Sequence, residues 1–183
     1  MRSALVVIDM VNDFVDGVLA NPAAATIIGP IERLCARARA ASDWEVVYAS
    51  DAHRRDDREL TVFPPHAMAG TQGAEVVAAL APQRNDLVVP KRSYSAFTLT
   101  DLDARLRALD VGRLLLVGQH TDCCVRHTSY DAFCLGYELA VSPGATTVYA
   151  PGSPEPLAAR QHAALEYLRT YYGALLEVPA ELG

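Results

Sequence analysis

Residues 114–135 have the sequence LLLVGQHTDCCVRHTSYDAFCL, in which a short apolar run, a polar loop and a longer mixed segment follow one another. The apolar run at 114–117 is typical of a strand that is buried on both faces. The mixed segment at 122–135 has the interspersed polar and apolar residues of an amphipathic helix. We therefore interpret this stretch as one strand–loop–helix unit.

The same alternation extends in both directions along the chain. It predicts an α/β fold with three layers (α/β/α), in which a mostly parallel sheet of about six strands has helices on both faces. The predicted strands are 4–8, 45–49, 87–89, 114–117, 138–141 and 175–178. The predicted helices are 28–41, 74–80, 102–109, 122–135 and 156–171. Segment 54–71 lacks periodicity, and we interpret it as a long ordered loop of the kind that usually carries function.

The composition is that of an ordinary globular protein. The chain has 183 residues, of which 51% are hydrophobic and 21% are charged, and this size predicts a single domain over residues 1–183. The net charge is −6 and the basic residues are scattered, which argues against a nucleic-acid partner. No apolar run approaches the length of a membrane span, and Asp9 interrupts the first one. We therefore expect no membrane partner and a cytoplasmic location.

The four cysteines do not form a recognisable metal or redox motif. They are Cys35, Cys123, Cys124 and Cys134, and no two are separated by two residues. A dinucleotide fingerprint and a phosphate-binding loop are also missing from the sequence. In a reducing compartment all four cysteines are expected to be free thiols, and the question is whether one of them is reactive.

Polar residues follow four of the predicted strands. Asp9, Asp51 with His53, Lys91 and Cys124 come after successive strands, and the carboxyl ends of parallel strands meet at one edge of a sheet. An aspartate in such a place is often only a turn former. The four together indicate a reaction centre.

Cys124 stands where the predicted helix 122–135 begins. The free N–H groups at a helix start and a nearby Lys91 would lower the pKa of its thiol, and Asp9 could accept the proton. The side chain of Cys123 points about 100° away around the helix, so only one of the two thiols can face the centre. The alternative is that Cys124 is a small buried apolar residue.

Three motifs resemble those of the isochorismatase-like cysteine hydrolases, nearest to the nicotinamidase/pyrazinamidase branch. They are VIDMVNDF at 7–14, PKRSYSAF at 90–97 and GQHTDCCVRHT at 118–128, and the similarity covers essentially the whole chain. The resemblance implies the fold of that family and a catalytic triad of Asp9, Lys91 and Cys124. It also implies a cis peptide bond between Gln119 and His120, with the backbone N–H groups of His120 and Cys124 forming an oxyanion hole.

A second part of the resemblance concerns a metal. The segments DAH at 51–53, FPPH at 63–66 and GTQGA at 70–74 are similar to the family's metal-binding region. They imply that Asp51, His53 and His66 bind a divalent cation, with Glu59 as a further candidate ligand. One carboxylate and two imidazoles suit Zn²⁺ first, and also Fe²⁺ or Mn²⁺. On spacing alone, a turn-capping aspartate and histidines bound to solvent or backbone are the simpler interpretation.

The resemblance also concerns the substrate. Phe14, Phe63 and Tyr94 are candidates for an aromatic wall around it, although plain core packing would also account for them. Many relatives have a small residue in place of His120, and nicotinamide-cleaving relatives usually have Trp and Cys where this chain has Ala52 and Ala67.

These features lead us to expect hydrolysis of a small-molecule amide with release of ammonia, through a thioester on Cys124. Nicotinamide itself is a weaker expectation than the amide class. Relatives are often dimers or tetramers, so the resemblance also implies a homo-oligomer.

Three other functions remain open on the sequence. The first is a metal-free hydrolase of the same family that acts on a carbamoyl or vinyl-ether compound. The second is a redox protein that uses Cys123 and Cys124, although adjacent cysteines make a strained pair. The third is a binding module without chemistry, which would leave a buried Lys91 without a role.

Overall fold

The computed structural model describes residues 1–149, 151–152 and 155–182. Within this part of the chain, five parallel strands form one sheet in the order β3-β2-β1-β4-β5. The strands are β1 (Arg2–Ile8), β2 (Trp44–Asp51), β3 (Leu87–Lys91), β4 (Val111–Gln119) and β5 (Glu138–Thr147). The predicted α/β fold with a parallel sheet is confirmed.

Helices cover both faces of this sheet, as predicted. They are α2 (Ala24–Ala40), α3 (Leu102–Ala108), α4 (Cys124–Cys134) and α5 (Leu157–Tyr172), whereas the short α1 (Asn12–Val15) places Phe14 in a separate small cluster with Val11 and Ala67. Alternate residues of β1 point to opposite faces because the side chains of a strand alternate. Leu5 and Val7 join the core under α2, whereas Val6 and Ile8 join the core under α3, α4 and α5.

The predicted sixth strand at 175–178 is wrong. Leu175 forms an isolated bridge to Ala140, through hydrogen bonds with the backbone of Leu139 and Val141, and no regular strand follows it among the residues described up to 182. The residues after Leu175 make no further backbone hydrogen bond to β5 among those described. The sheet therefore has five strands.

The predicted helix at 74–80 is also wrong. Two short 3-10 turns, Gln72–Ala74 and Ala78–Leu80, stand there instead. Between them Val76 pairs with Val11, and the N–H of Val77 donates to the carbonyl of Met10. The backbone thus bonds to the segment after β1 rather than to itself, which the β-branched valines favour. A third 3-10 turn, Arg58–Thr61, lies in the predicted long loop.

The strand order creates a crevice at the carboxyl ends of β1 and β4, where the direction of winding reverses. Ligands of open α/β sheets bind at such a switch point. The two strands approach closely there because residue 118 is glycine with φ +104°, and a Cβ at this position would lie 2.1 Å from the carbonyl oxygen of Ile8. None of the helices in the described part of the chain combines the length and the apolar character that a membrane-spanning helix requires.

Candidate active site

Lys91, at the end of β3, is fully buried and surrounded by polar atoms. Its Nζ lies 2.6 Å from Oδ1 of Asp51 and 2.8 Å from Oδ2 of Asp9, and it donates to the carbonyl of Ser93 at 3.1 Å. Asp9 is fixed in turn because its Oδ1 accepts the backbone N–H of Asp51 at 2.9 Å. The ends of three adjacent strands therefore share one buried ammonium group.

Cys124 is the first residue of α4, and its side chain reaches the same group. Its Sγ is 3.7 Å from Nζ of Lys91, and Sγ lies within 4.8 Å of a carboxylate oxygen of both Asp9 and Asp51. The residue is only 4% exposed. The structure thus brings Asp9, Lys91 and Cys124 together, although they come from three distant parts of the sequence.

The protonation of this group is set largely by burial. Burial, reinforced by the Asp51 carboxylate, raises the pKa of Asp9 to about 7, although Lys91 opposes the shift. The neighbouring thiol of Cys123 and burial raise the pKa of Cys124, whereas Lys91 acts in the expected direction and lowers it. Burial alone would raise the pKa of Asp51, but Lys91 and His53 hold it below its ordinary value. The thiol is therefore protonated at rest beside a carboxylate that can take up its proton.

The loop before α4 contains the cis peptide bond that the resemblance implies, between Gln119 and His120. The carbonyl of His120 accepts the N–H groups of Cys123 at 3.0 Å and Val125 at 3.1 Å. Within the part of the chain that the structure describes, the N–H groups of His120 and Cys124 have no protein acceptor. These two donors remain available to a ligand that is bound next to the thiol.

Gln119 and Asn21 tie this loop to the end of β1. Nε2 of Gln119 donates to the carbonyls of Asp9 and Phe14 at 3.2 and 3.3 Å. Nδ2 of Asn21 donates to Oε1 of Gln119 and to the carbonyl of Val148, both at 3.1 Å. Sequence reasoning named Gln119 only for the cis peptide bond and missed Asn21, because a buried amide that bonds distant backbone leaves no local pattern.

Four side chains next to Lys91 could hold a metal ion. One nitrogen or oxygen atom from each of Asp51, His53, Glu59 and His66 lies within 4.8 Å of the other three. Nε2 of His53 is 3.5 Å from Oδ2 of Asp51 and 3.8 Å from Oε2 of Glu59, and Nε2 of His66 is 3.6 Å from Oε1 of Glu59. The structure thus groups all four of the residues that the resemblance implies as ligands.

The donor atoms of this cluster fit a divalent cation. Oδ2 of Asp51, Oε2 of Glu59 and Nε2 of both His53 and His66 are buried and accept or donate no hydrogen bond among the described residues. Four ligand atoms about 2.1 Å from a tetrahedral zinc ion would be about 3.4 Å apart, close to the observed spacing. Buried polar atoms without partners are rare and costly, and a bound cation would satisfy all four.

The other ring nitrogen of each histidine is held by the protein. Nδ1 of His53 lies 3.1 Å from Oδ2 of Asp57, and Nδ1 of His66 lies 2.7 Å from the carbonyl of Pro64. Asp57 also accepts Nε of Arg92 at 2.8 Å. Such outer partners turn Nε2 toward the metal position and fix the tautomer. Sequence reasoning missed Asp57 and Arg92, although Arg92 directly follows Lys91.

A cavity of about 210 Å³ opens in front of the thiol. The predicted Phe14, Phe63 and Tyr94 all line it, as do Cys123 and Cys124. The volume lies below the ~300–1,000 Å³ of pockets for drug-sized ligands, so it suits a smaller molecule. Further lining residues that sequence reasoning did not assign to the cavity are Leu19, Asp122, Tyr149 and Arg160. Tyr149 comes after the end of β5 at Thr147, but the predicted strand ended at 141, so the rule that led to Asp9 and Lys91 did not reach it.

The amino-acid sequence is similar to that of a known protein family and of individual known proteins. The family model described as Isochorismatase domain matches residues 3–179. The isochorismatase family protein PncA of Bacillus subtilis is 37% identical over 154 residues, which are 77% of this chain and 84% of that protein.

Two solved structures are also similar. N-carbamoylsarcosine amidase from Thermoplasma acidophilum superposes with a TM-score of 0.86 at 37% identity, over 97% of this chain and 96% of the other. Pyrazinamidase of Pyrococcus horikoshii, solved in complex with zinc, superposes with a TM-score of 0.84 at 26% identity, over 96% and 98%.

Proposed function

The chain belongs to the isochorismatase family of hydrolases, and we propose that it is a cysteine-dependent amidase that hydrolyses a small-molecule amide and releases ammonia. The observation that carries this proposal is the proximity of three side-chain groups. A thiol, an ammonium group and a carboxylate lie within reach of one another, and Cys124, which carries the thiol, lines a small cavity. Such a set is what covalent catalysis by a thiol needs.

The first step uses Asp9 as the base and Cys124 as the nucleophile. The thiol proton passes to the carboxylate of Asp9, and the sulfur attacks the carbonyl carbon of the amide. Lys91 stays protonated and offsets the negative charge of the thiolate as it forms. A base with a pKa near 7 suits this transfer at neutral pH, because it is partly ionised and still basic.

The second step expels ammonia. The negative charge on the carbonyl oxygen is stabilised by the backbone N–H groups of His120 and Cys124, and the loss of one such donor typically costs ~100- to 1,000-fold in rate. Asp9 returns its proton to the leaving nitrogen, so that ammonia departs and a thioester remains. Asp9 then removes a proton from a water molecule, which hydrolyses the thioester and restores the thiol.

Asp51, His53, Glu59 and His66 would hold a divalent cation, zinc being the first candidate and iron or manganese the others. When bound, such a cation supplies Lewis acidity and a fixed positive charge beside the cavity. The similar pyrazinamidase of Pyrococcus horikoshii was solved in complex with zinc. The chain's own part is to orient these ligands through Asp57 and the carbonyl of Pro64.

A screen of ammonia release tests the proposal. Purified enzyme is incubated with nicotinamide, pyrazinamide, benzamide and simple aliphatic amides, and ammonia is measured by a coupled assay. We expect release from at least one amide by the native chain and none by Cys124→Ala. Equal release by the two proteins would contradict the proposal.

A second substrate class has its own support. The similar structure from Thermoplasma acidophilum is an N-carbamoylsarcosine amidase, so a carbamoyl compound is an alternative substrate for the same thiol. Including N-carbamoylglycine and N-carbamoylsarcosine in the screen separates the two. Release of ammonia from these alone would favour the carbamoyl class over the nicotinamide class.

A further inference from the structure

His120 lies in the wall of the cavity between two aromatic rings. Its ring centroid is 5.7 Å from that of Phe14 and 5.1 Å from that of Tyr149, and all three side chains line the cavity. The residue is 9% exposed. An imidazole thus occupies the part of the wall between these two aromatic rings.

The protein leaves the polar capacity of this imidazole unused. Nε2 of His120 is buried and has no hydrogen-bond partner among the residues that the structure describes. Burial, with Lys91 adding to it, lowers the pKa of His120 to about 3, so the ring is neutral at neutral pH. A neutral imidazole has one N–H donor and one nitrogen acceptor. A buried polar group without a partner is costly, and this favours a ligand that provides one.

The position of His120 in the chain limits where that ligand atom lies. The backbone N–H of the same residue is one of the two donors next to the thiol of Cys124. The imidazole is therefore separated by only a few covalent bonds from an N–H group that faces the attacked carbonyl. A substrate atom that meets it must lie close to the amide group, within the same small molecule.

We propose that His120 is a specificity-determining residue, whose imidazole hydrogen-bonds a second polar atom of a small amide substrate, apart from the amide group that Cys124 attacks. This inference rests on the proposed amide hydrolysis and adds a substrate requirement to it. Amides that carry a ring nitrogen or a hydroxyl near the carbonyl fit this requirement. Amides of the same shape without such an atom leave the imidazole unpaired.

Two matched pairs of amides test the requirement. Nicotinamide and benzamide differ by one ring nitrogen, and glycolamide and propionamide differ by a hydroxyl in place of a methyl group. We expect the native enzyme to prefer the polar member of at least one pair in kcat/KM. His120→Leu should reduce that preference about 10- to 100-fold, measured as the ratio of kcat/KM between the two members of a pair. His120→Asn, which keeps a donor and an acceptor, should retain part of the preference.

His162→Leu is the matched control, because His162 is an exposed histidine on α5 and should leave every rate unchanged. The dissociation constants of the four amides for Cys124→Ala, measured by calorimetry, provide a second measurement that needs no His120 variant to fold. There too the polar members should bind more tightly.

Each contrary result has a distinct meaning. Preferences in both pairs that His120→Leu leaves unchanged overturn the inference while the proposed function stands. An equal loss on all four amides also overturns it, because the residue would then act only on the structure of the site. If the native enzyme hydrolyses no amide of the full screen, the proposed function fails, and this inference fails with it.

Discussion

Asp51 and Lys91 are direct partners in the β2–β3 register, and their side chains form an ion pair of 2.6 Å between Oδ1 and Nζ. The pair is shorter than the 2.8 Å contact between Lys91 and Asp9. Oδ2 of Asp51 belongs to the cluster that could hold a metal. The carboxylate of Asp51 therefore belongs both to the group around the thiol and to the candidate metal site. A substitution at either site should alter the properties of the other.

Lys91→Met is expected to destabilise the fold as well as to abolish activity. The substitution removes the cation between two buried carboxylates, and breaking a buried ion pair on one side costs about 3–5 kcal/mol. Urea denaturation at neutral pH should show a loss of this size in the free energy of unfolding. Arg169→Met, which breaks an exposed ion pair with Glu166, should change stability little.

The double variant Lys91→Met/Asp51→Asn separates charge from packing. It removes one of the two carboxylates that Lys91 compensates, so it should be more stable than Lys91→Met alone. If the double variant is less stable than the single one, uncompensated charge is not the cause of the loss.

The two adjacent cysteines should behave differently. Cys124→Ala removes the thiol next to Lys91 and Asp9, and we expect kcat to fall by at least ~1,000-fold. Cys123→Ala removes a half-buried thiol of the cavity wall and should keep most of the activity. Mass spectrometry of acid-quenched reactions should find an acyl adduct on Cys124 in the native chain and in Cys123→Ala. An adduct on Cys123, or equal loss of activity in both variants, would refute the assignment.

Asp57 is expected to control metal affinity without being a ligand. It holds Nδ1 of His53 and is itself held by Arg92, and the loss of such an outer partner typically weakens metal binding 10- to 100-fold. Competition with a chromophoric zinc chelator should measure this loss in Asp57→Ala. Asp56→Ala is the control, because Asp56 is the exposed neighbour and its ion pair is with Arg92 rather than with a histidine of the cluster. Equal affinities of the two variants would exclude the positioning role.

Sequence reasoning predicted the site residues at the sheet edge because a local rule suffices for them. Asp9, Lys91 and Cys124 each follow an apolar run, and parallel strands place such residues at one edge whatever their order. To predict the pairing of Asp51 with Lys91, one must also know that β2 and β3 are neighbours in the sheet and which of their residues lie opposite each other. No pattern within either strand contains that information.

Other features were missed because they depend on packing. The pKa of Cys124 was expected to fall because a helix start and a lysine favour the thiolate, but the neighbouring Cys123 and burial, which depend on packing, raise it. Arg160 reaches the cavity from α5, which no motif connects to the site. The segment 175–178 was predicted as a strand from its short apolar pattern, but it forms only one bridge, between Leu175 and Ala140.

Gly118→Ala should be among the most destabilising single changes in the chain. A Cβ there would lie 2.1 Å from the carbonyl oxygen of Ile8, and neither atom can move because β1 and β4 are paired along their length. We expect a loss of more than about 4 kcal/mol in the free energy of unfolding, or failure to accumulate as folded protein. Gly136→Ala separates this clash from backbone strain, because Gly136 has φ +81° but nothing within 4 Å of its Cβ position, and should cost only ~1–2 kcal/mol. Similar losses in the two variants would mean that the positive φ, rather than the close approach of the strands, requires glycine at 118.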